Sequence, residues 1–283
     1  MTAMRVLYFT KSSGYEHDVV RWHGGPGTSY TEKILARMGA GNDIDFTFSK
    51  DASLFAPAYL AGFDAFLFYT SGDLTSVGTD GNPATTAAGK AALLDAVRAG
   101  KGFLGVHSGG DTFHTLEHGG GNPADRTNRY KIHGEACDPY IRMLGGEFIN
   151  HGEQQVASAR VVDPHFPGCN SLGGKCRCRE EWYSLKEFAS DLHVLLVMET
   201  DAMTGVDYAR PPYPLAWART YGEGRVWYNG MGHREDVWVS SAFQSMLVGG
   251  LLWAGRRVEA DVTPNIATVT PQAMVLPPER PGT

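Results

Sequence analysis

GKGFLGVHSGGDTF (residues 100–113) joins a short, unbroken apolar run to a glycine-rich turn, with His107 where the two meet. An apolar run bounded by glycine is what a strand of a parallel sheet, covered on both faces, looks like. A tight turn from such a strand lifts one side chain clear of the carboxyl edge and aims the following backbone N–H groups at the same point, as in a nucleophile elbow. The elbow position falls on His107, and the small residues Ser108, Gly109 and Gly110 leave the turn room to close. Ser108 is the rival nucleophile, but it lies one place too far along and lacks the Gly-x-Ser-x-Gly register. Asp111 stands at the first turn of any helix that starts here, as a catalytic carboxylate or as an amino-terminal cap.

RVLYFT (5–10) and AFLFYT (65–70) repeat the apolar pattern, and helical stretches separate the three runs. TSYTEKILARMG (28–39) puts Tyr30, Ile34, Leu35 and Met38 on one face and stops at Gly39. PATTAAGKAALLDAVRAG (83–100) opens on Pro83 and stops at Gly100. Strand and helix in alternation predict a doubly wound α/β fold with a mostly parallel central sheet and helices on both faces. CDPYIRMLGG (137–146) reads as a short helix and EFINH (147–151) as the next strand. Beyond it QQVASARVVD, EEWYSL, LHVLLVMET, PLAWARTY and RVWYNGM read as strands in added antiparallel hairpins, with TYGEGRV the clearest turn. A single long helix is expected over 238–256, with Val239, Phe243, Leu247, Leu251 and Ala254 on its buried face. The chain divides into a domain at 1–259 and a proline-rich, extended tail at 260–283, which lies on the surface or on a second subunit of a homo-oligomer. The long loop from Phe113 to His133 reads as a cover over a site.

With 25 basic and 31 acidic residues among 283, the formal charge is −6, and no basic run exceeds the pair Arg256–Arg257. Nucleic acid is therefore not an expected partner. No stretch approaches the ~20 apolar residues of a membrane span, and MTAMRVLYFT lacks the parts of a secretory leader, so a soluble cytoplasmic protein is expected. Cys169, Cys176 and Cys178 crowd into PGCNSLGGKCRCREEWY at spacings that suit zinc poorly, which predicts reduced thiols in a loop.

His107 is not the only histidine placed at a strand end: His151 closes EFINH and His233 follows RVWYNGM. A doubly wound sheet can gather all three at one carboxyl edge, as acid–base groups or, with one carboxylate, as ligands of a divalent metal ion. There is no HExxH-type spacing to fix a metal site, so an acid–base site without metal is the first expectation. Strand alternation sends only one of Glu180 and Glu181 inward; Glu181 is favoured, with Trp182 and Tyr183 beside it as a surface for a sugar ring. His17, in the loop after the first strand, either lines the site or is solvated.

FTKSSGYEHD, LFYTSGDL, GKGFLGVHSGGDTF, LGGEFINHG, EEWYSL, LHVLL and PLAWARTYGEGRVWYNGMGHREDVW resemble, in this order from Arg5 to Gly255, the trehalose-utilisation (ThuA-like) family. The resemblance implies a flavodoxin-like sandwich similar to class I glutamine amidotransferases. Those enzymes carry a cysteine at the elbow, where this chain has His107 after Gly105-Val106, so glutaminase chemistry is not expected. The family's implied role is in the use of trehalose and related disaccharides, beside dehydrogenases that oxidise a sugar at carbon 3. A ketone there acidifies carbon 2 and places the glycosidic oxygen β to the carbonyl. The resemblance thus implies an enzyme that abstracts a proton from a 3-keto-glycoside or keto-sugar, with His107 as base, His151 or His233 as acid, Glu181 and Asp111 as orienting groups, and His17, Ser108, Trp182 and Tyr183 at the substrate. A non-catalytic carbohydrate-binding module and a metal-dependent hydrolase are the alternatives.

Overall fold

The computed structural model describes residues 2–115 and 127–280. The strands are β1 (Met4–Phe9), β2 (Ile44–Ser49), β3 (Ala65–Phe68), β4 (Gly102–Val106), β5 (Glu147–His151), β6 (Gln155–Val161), β7 (Lys175–Glu180), β8 (Tyr183–Lys186), β9 (His193–Met198), β10 (Tyr213–Tyr221) and β11 (Gly224–Asn229). The helices are α1 (Tyr30–Ala40), α2 (Pro57–Leu60), α3 (Ala87–Arg98), α4 (Pro139–Leu144), α5 (Glu235–Trp238), α6 (Ser241–Ala254) and α7 (Ile266–Val269).

Nine strands form one mixed sheet in the order β2-β1-β3-β4-β11-β10-β9-β6-β7. The first five run parallel and the rest are joined antiparallel, so the doubly wound half and the hairpin half share a single sheet. This is the flavodoxin-like α/β sandwich that the sequence leads one to expect. β1, β3 and β4 are buried almost throughout, which is why they read as unbroken apolar runs. β4 is clasped by helices on both faces. A Cβ at Gly102 would meet the Ala254 carbonyl of α6 at 2.7 Å, and one at Gly105 would meet Leu144 of α4 and Tyr228 of β11 at 3.0 Å. The two glycines point to opposite faces, and each lets a neighbouring layer close in.

Several local expectations need correction. α3 starts at Ala87 rather than Pro83, because the Thr86 hydroxyl accepts from Gly89 N and caps the helix there. α1 runs past Gly39 to Ala40, fixed at its start by a reciprocal capping box between Ser29 and Glu32. The single helix expected at 238–256 is two: Ser240 caps α6, and Val239 sits in the break, 54% exposed instead of on the buried face. EFINH does not join the main sheet. β5 pairs antiparallel with β8 in a separate two-stranded ribbon. Cys176 and Cys178 lie not in a loop but on the edge strand β7, and the four cysteines are free.

The tail is not simply extended. It forms the turn α7, and Asn265 bonds both backbone groups of Val194, at 2.7 and 3.2 Å. The buried Arg210 guanidinium donates to Ala273 O at 2.6 Å, so the tail through Arg280 is engaged with its own chain. Most of the loop read as a cover, residues 116–126, lies outside the described residues. Among the described residues no helix is long and apolar enough to cross a membrane.

Candidate functional site

β1, β3, β4 and β11 all point their carboxyl ends to one place, beside the switch between β1 and β3 where the strand order reverses. His107 is the first residue past β4 and adopts φ 46°, the left-handed conformation of an elbow residue. For a residue with a Cβ this costs about 1–3 kcal/mol and persists only when neighbours enforce it. Here the Tyr228 hydroxyl donates to His107 O at 2.8 Å, and the Tyr183 ring lies against the imidazole with centroids 4.0 Å apart. His107 Nδ1 is 3.1 Å from the Gly230 carbonyl. A carbonyl can only accept, so the proton sits on Nδ1 and Nε2 presents a lone pair. That Nε2 is buried with no hydrogen-bond partner among the described residues, 3.4 Å from Glu181 Oε2.

Around this lone pair stand three more side chains. His17, 3% exposed, places its ring edge-on to His107 at 5.0 Å and to His233 at 5.3 Å. Burial, then the neighbouring imidazoles, push its pKa well below the usual histidine value. His233 Nδ1 is 3.1 Å from the same Glu181 oxygen, while its Nε2 faces the Gln154 amide nitrogen at 3.1 Å. His151 reaches the other oxygen, with Nδ1 3.4 Å from Glu181 Oε1 and 3.1 Å from the Gly152 carbonyl. Burial would raise the Glu181 carboxyl, but the surrounding imidazoles outweigh it and hold the group well below the usual carboxylate range.

His17, His107, Glu181 and His233 each offer one ligand atom, and these atoms lie within 4.8 Å of one another, so the four can hold a metal ion. Ligand bonds of about 2.0–2.1 Å in a tetrahedron place neighbouring donors roughly 3.3 Å apart, close to the 3.1 and 3.4 Å found across Glu181 Oε2.

The structure thus brings His107, His151, His233, Glu181 and His17 together, although His151 arrives from the β5–β8 ribbon rather than from the main sheet. Trp182 is elsewhere. It is fully buried with its indole N–H on the Gln155 carbonyl at 2.9 Å, and offers no face to a ligand. Tyr183 packs on His107 and is 2% exposed, so it backs the imidazole. The Ser108 hydroxyl is buried without a partner among the described residues. Asp111 caps no α-helix; it ends the short 3-10 turn 107–110 and bonds His114, with Arg129 at 3.5 Å.

Sequence reasoning passed over Glu180. Alternation stops where β7 ends, so both glutamates face inward. Glu180 accepts from the backbone N–H of Gly232 (2.9 Å), His233 (3.2 Å) and Glu181 (2.8 Å), tying the His233 turn to the end of β7. Burial raises its pKa against the effect of those bonds. Gln154, which also went unnoticed, accepts from Arg234 at 2.7 Å while touching His233.

A second group, His133, Glu147 and Glu187, also has ligand atoms within 4.8 Å and could take an ion. A cation already stands among them: Lys186 Nζ lies 3.4 Å from Glu147 Oε2 and 3.5 Å from His133 Nδ1. Glu187 meanwhile accepts from the backbone of His133 and Gly134. A metal ion there would have to displace the ammonium.

The sequence model for trehalose utilisation, ThuA, matches residues 5–254. The chain belongs to the ThuA trehalose-utilisation family. No curated protein matches it. A ThuA-like protein from Bacteroides uniformis is 15% identical over 89% of this chain and 91% of its own, with a TM-score of 0.62. One from Parabacteroides merdae is 16% identical over 92% of each chain, TM-score 0.58. A protein of Salmonella typhimurium LT2 described as cytoplasmic is 16% identical over 89% of this chain and 98% of its own, TM-score 0.53. At these identities the likeness is one of fold, and a carbohydrate role comes from the ThuA family match.

Proposed function

We propose that this ThuA-family protein is an enzyme that abstracts a proton next to the carbonyl of a 3-keto-glycoside or keto-sugar, at a divalent-cation site made by His17, His107, His233 and Glu181. The observation that carries the reading is the His107 lone pair, buried and, among the described residues, without a hydrogen-bond partner opposite a carboxylate oxygen. Two acceptors facing each other at 3.4 Å need a cation or a proton between them. His107, fully buried, suits a ligand better than the base that the resemblance implies. A bound divalent ion would polarise the keto and neighbouring hydroxyl oxygens and lower the cost of the enediolate.

The proton falls to His151, whose side chain is 38% exposed and whose Nδ1 faces the Gly152 carbonyl, leaving Nε2 as the base. Loss of the carbon 2 proton to His151 would form the enolate, and expulsion of the carbon 1 oxygen, which takes that proton back from the His151 imidazolium as it leaves, would complete an elimination. Glu181 orients His151 from its second oxygen. Ligation through His233 Nδ1 requires the proton on Nε2, with the Gln154 amide turned over to accept it and its bond from Arg234 given up.

The Gln154 contact as it stands favours a second reading, an acid–base site without metal, because an amide N–H on Nε2 leaves the proton on Nδ1. A cytoplasmic location accompanies either reading and is supported by the description of the Salmonella protein.

The test is elemental analysis of the purified protein, then incubation with oxidised and unoxidised disaccharides before and after chelation, with product analysis. One equivalent of metal, and turnover of the 3-keto sugar that chelation abolishes, is the expected result. Turnover that survives complete removal of metal establishes the second reading, and no turnover of any keto-sugar removes both.

A further inference from the structure

Trp182, the surface expected to receive a sugar ring, is in the core, and a different aromatic stands at the mouth of the site. Tyr15 is 65% exposed, the most exposed tyrosine or other aromatic among the large exposed hydrophobic residues. Its position is fixed from below. The Tyr15 carbonyl accepts the Ser71 hydroxyl at 2.8 Å, and its ring stands edge-on to His17 at 5.0 Å. A single exposed aromatic needs no explanation. This one borders a cleft of about 390 Å³ that shares His233 with the histidine cluster, within the size range of small-molecule sites.

The rest of the lining is mostly polar. Arg234 and Asp236 form a two-bond fork, 2.9 Å at each contact, and Arg234 holds Gln154 at 2.7 Å. Planar hydrogen-bonding groups and an exposed ring lining one cleft suit a pyranose, whose C–H face packs on an aromatic while its hydroxyls bond to polar neighbours. The charges narrow the choice further. Asp18, Glu235 and Asp236 outnumber Arg234 around the cleft, so an uncharged sugar fits and a sugar phosphate does not.

We infer that the cleft between Tyr15 and the Arg234–Asp236 fork is the subsite for the second ring of a neutral disaccharide, the ring that leaves when the glycosidic bond breaks. The assignment of this ring as leaving group rests on the reaction proposed above. Recognition of the disaccharide does not, and it can be measured without turnover.

The experiment titrates the full-length protein with trehalose, glucose and trehalose 6-phosphate by calorimetry or saturation-transfer NMR, for wild type, Tyr15→Ala and Tyr15→Phe. Tyr15 is exposed, so neither variant threatens the fold. Wild type is expected to bind trehalose more tightly than glucose, and the phosphate ester more weakly than trehalose. Tyr15→Ala lowers trehalose affinity by about ten-fold and leaves glucose unchanged, while Tyr15→Phe stays within about two-fold of wild type. Absence of trehalose binding, equal binding by Tyr15→Ala, or preference for the phosphate ester overturns the subsite. Tyr15-dependent binding without turnover of any keto-sugar removes the proposed reaction and leaves the subsite. Turnover of a keto-disaccharide with a KM unaffected by Tyr15→Ala does the reverse.

Discussion

His107 carries two demands that conflict in an ordinary residue: a left-handed backbone and a lone pair held in the dry interior. Asparagine separates them. It tolerates positive φ, and its amide can donate to the Gly230 carbonyl, but it has no atom where Nε2 stands. His107→Asn should therefore melt within a few degrees of wild type while losing bound metal and at least about 100-fold in turnover. Thermal denaturation, elemental analysis and a product assay on one preparation check all three; retained metal would remove His107 from the ligand set. His107 was legible in the sequence because the elbow has a local signature. His17 was only half legible, since nothing in FTKSSGYEHD says that the loop folds inward. Glu180 was not legible at all: alternation selects one of two adjacent glutamates only while the strand continues, and β7 ends between them.

Among the elements, the turn at 107–110 depends on β11 as much as on β4. A Cβ at Gly110 would lie 2.7 Å from the Tyr228 hydroxyl that holds the His107 carbonyl. Gly110→Ala must push that tyrosine away, at a cost of about 1–3 kcal/mol, and should lower Tm by several degrees and turnover with it. Double substitution with Tyr228→Phe, measured by the same melts, should be less than additive, because both changes break one contact. The parallel strands were legible because full burial leaves an apolar run. β2, IDFTFS, was not, because an edge position exposes alternate residues and blurs the pattern. The ribbon β5–β8 was misassigned to the main sheet for a related reason: EFINH names a strand, not its partner.

For the molecule as a whole, the tail and the second ionic network set stability. Deleting residues 260–283 strips the buried Arg210 guanidinium of the Ala273 carbonyl and Val194 of Asn265. Each buried polar group left unpaired costs about 1–3 kcal/mol, so the truncated chain should unfold at clearly lower urea, and an unchanged midpoint would show the tail to be dispensable. The network gives a pH signature. Burial would raise Glu147, but the His114 hydrogen bond and charge and the Lys186 ammonium bring it down to about 2. Burial and Arg129 would lower His114, yet Asp111 and Glu147 together raise it above 6.5. The depressed carboxylate stabilises above its ordinary 4.5 and loses that contribution as pH falls through about 2. The raised imidazole stabilises below 6.5 and loses its contribution as pH rises through its folded value. The difference in Tm between wild type and His114→Gln should thus be largest between about pH 4.5 and 6.5 and shrink on both sides.

His107 and His233 ride on the main sheet, while His151 is delivered by the small ribbon, and Glu181 lies in the short joint between β7 and β8. On the proposed reading, the ion-holding half of the site and its proton-handling half belong to different pieces of architecture, sharing one carboxylate as their hinge pin. Substitutions confined to the ribbon would then change proton transfer while leaving the proposed ion site intact.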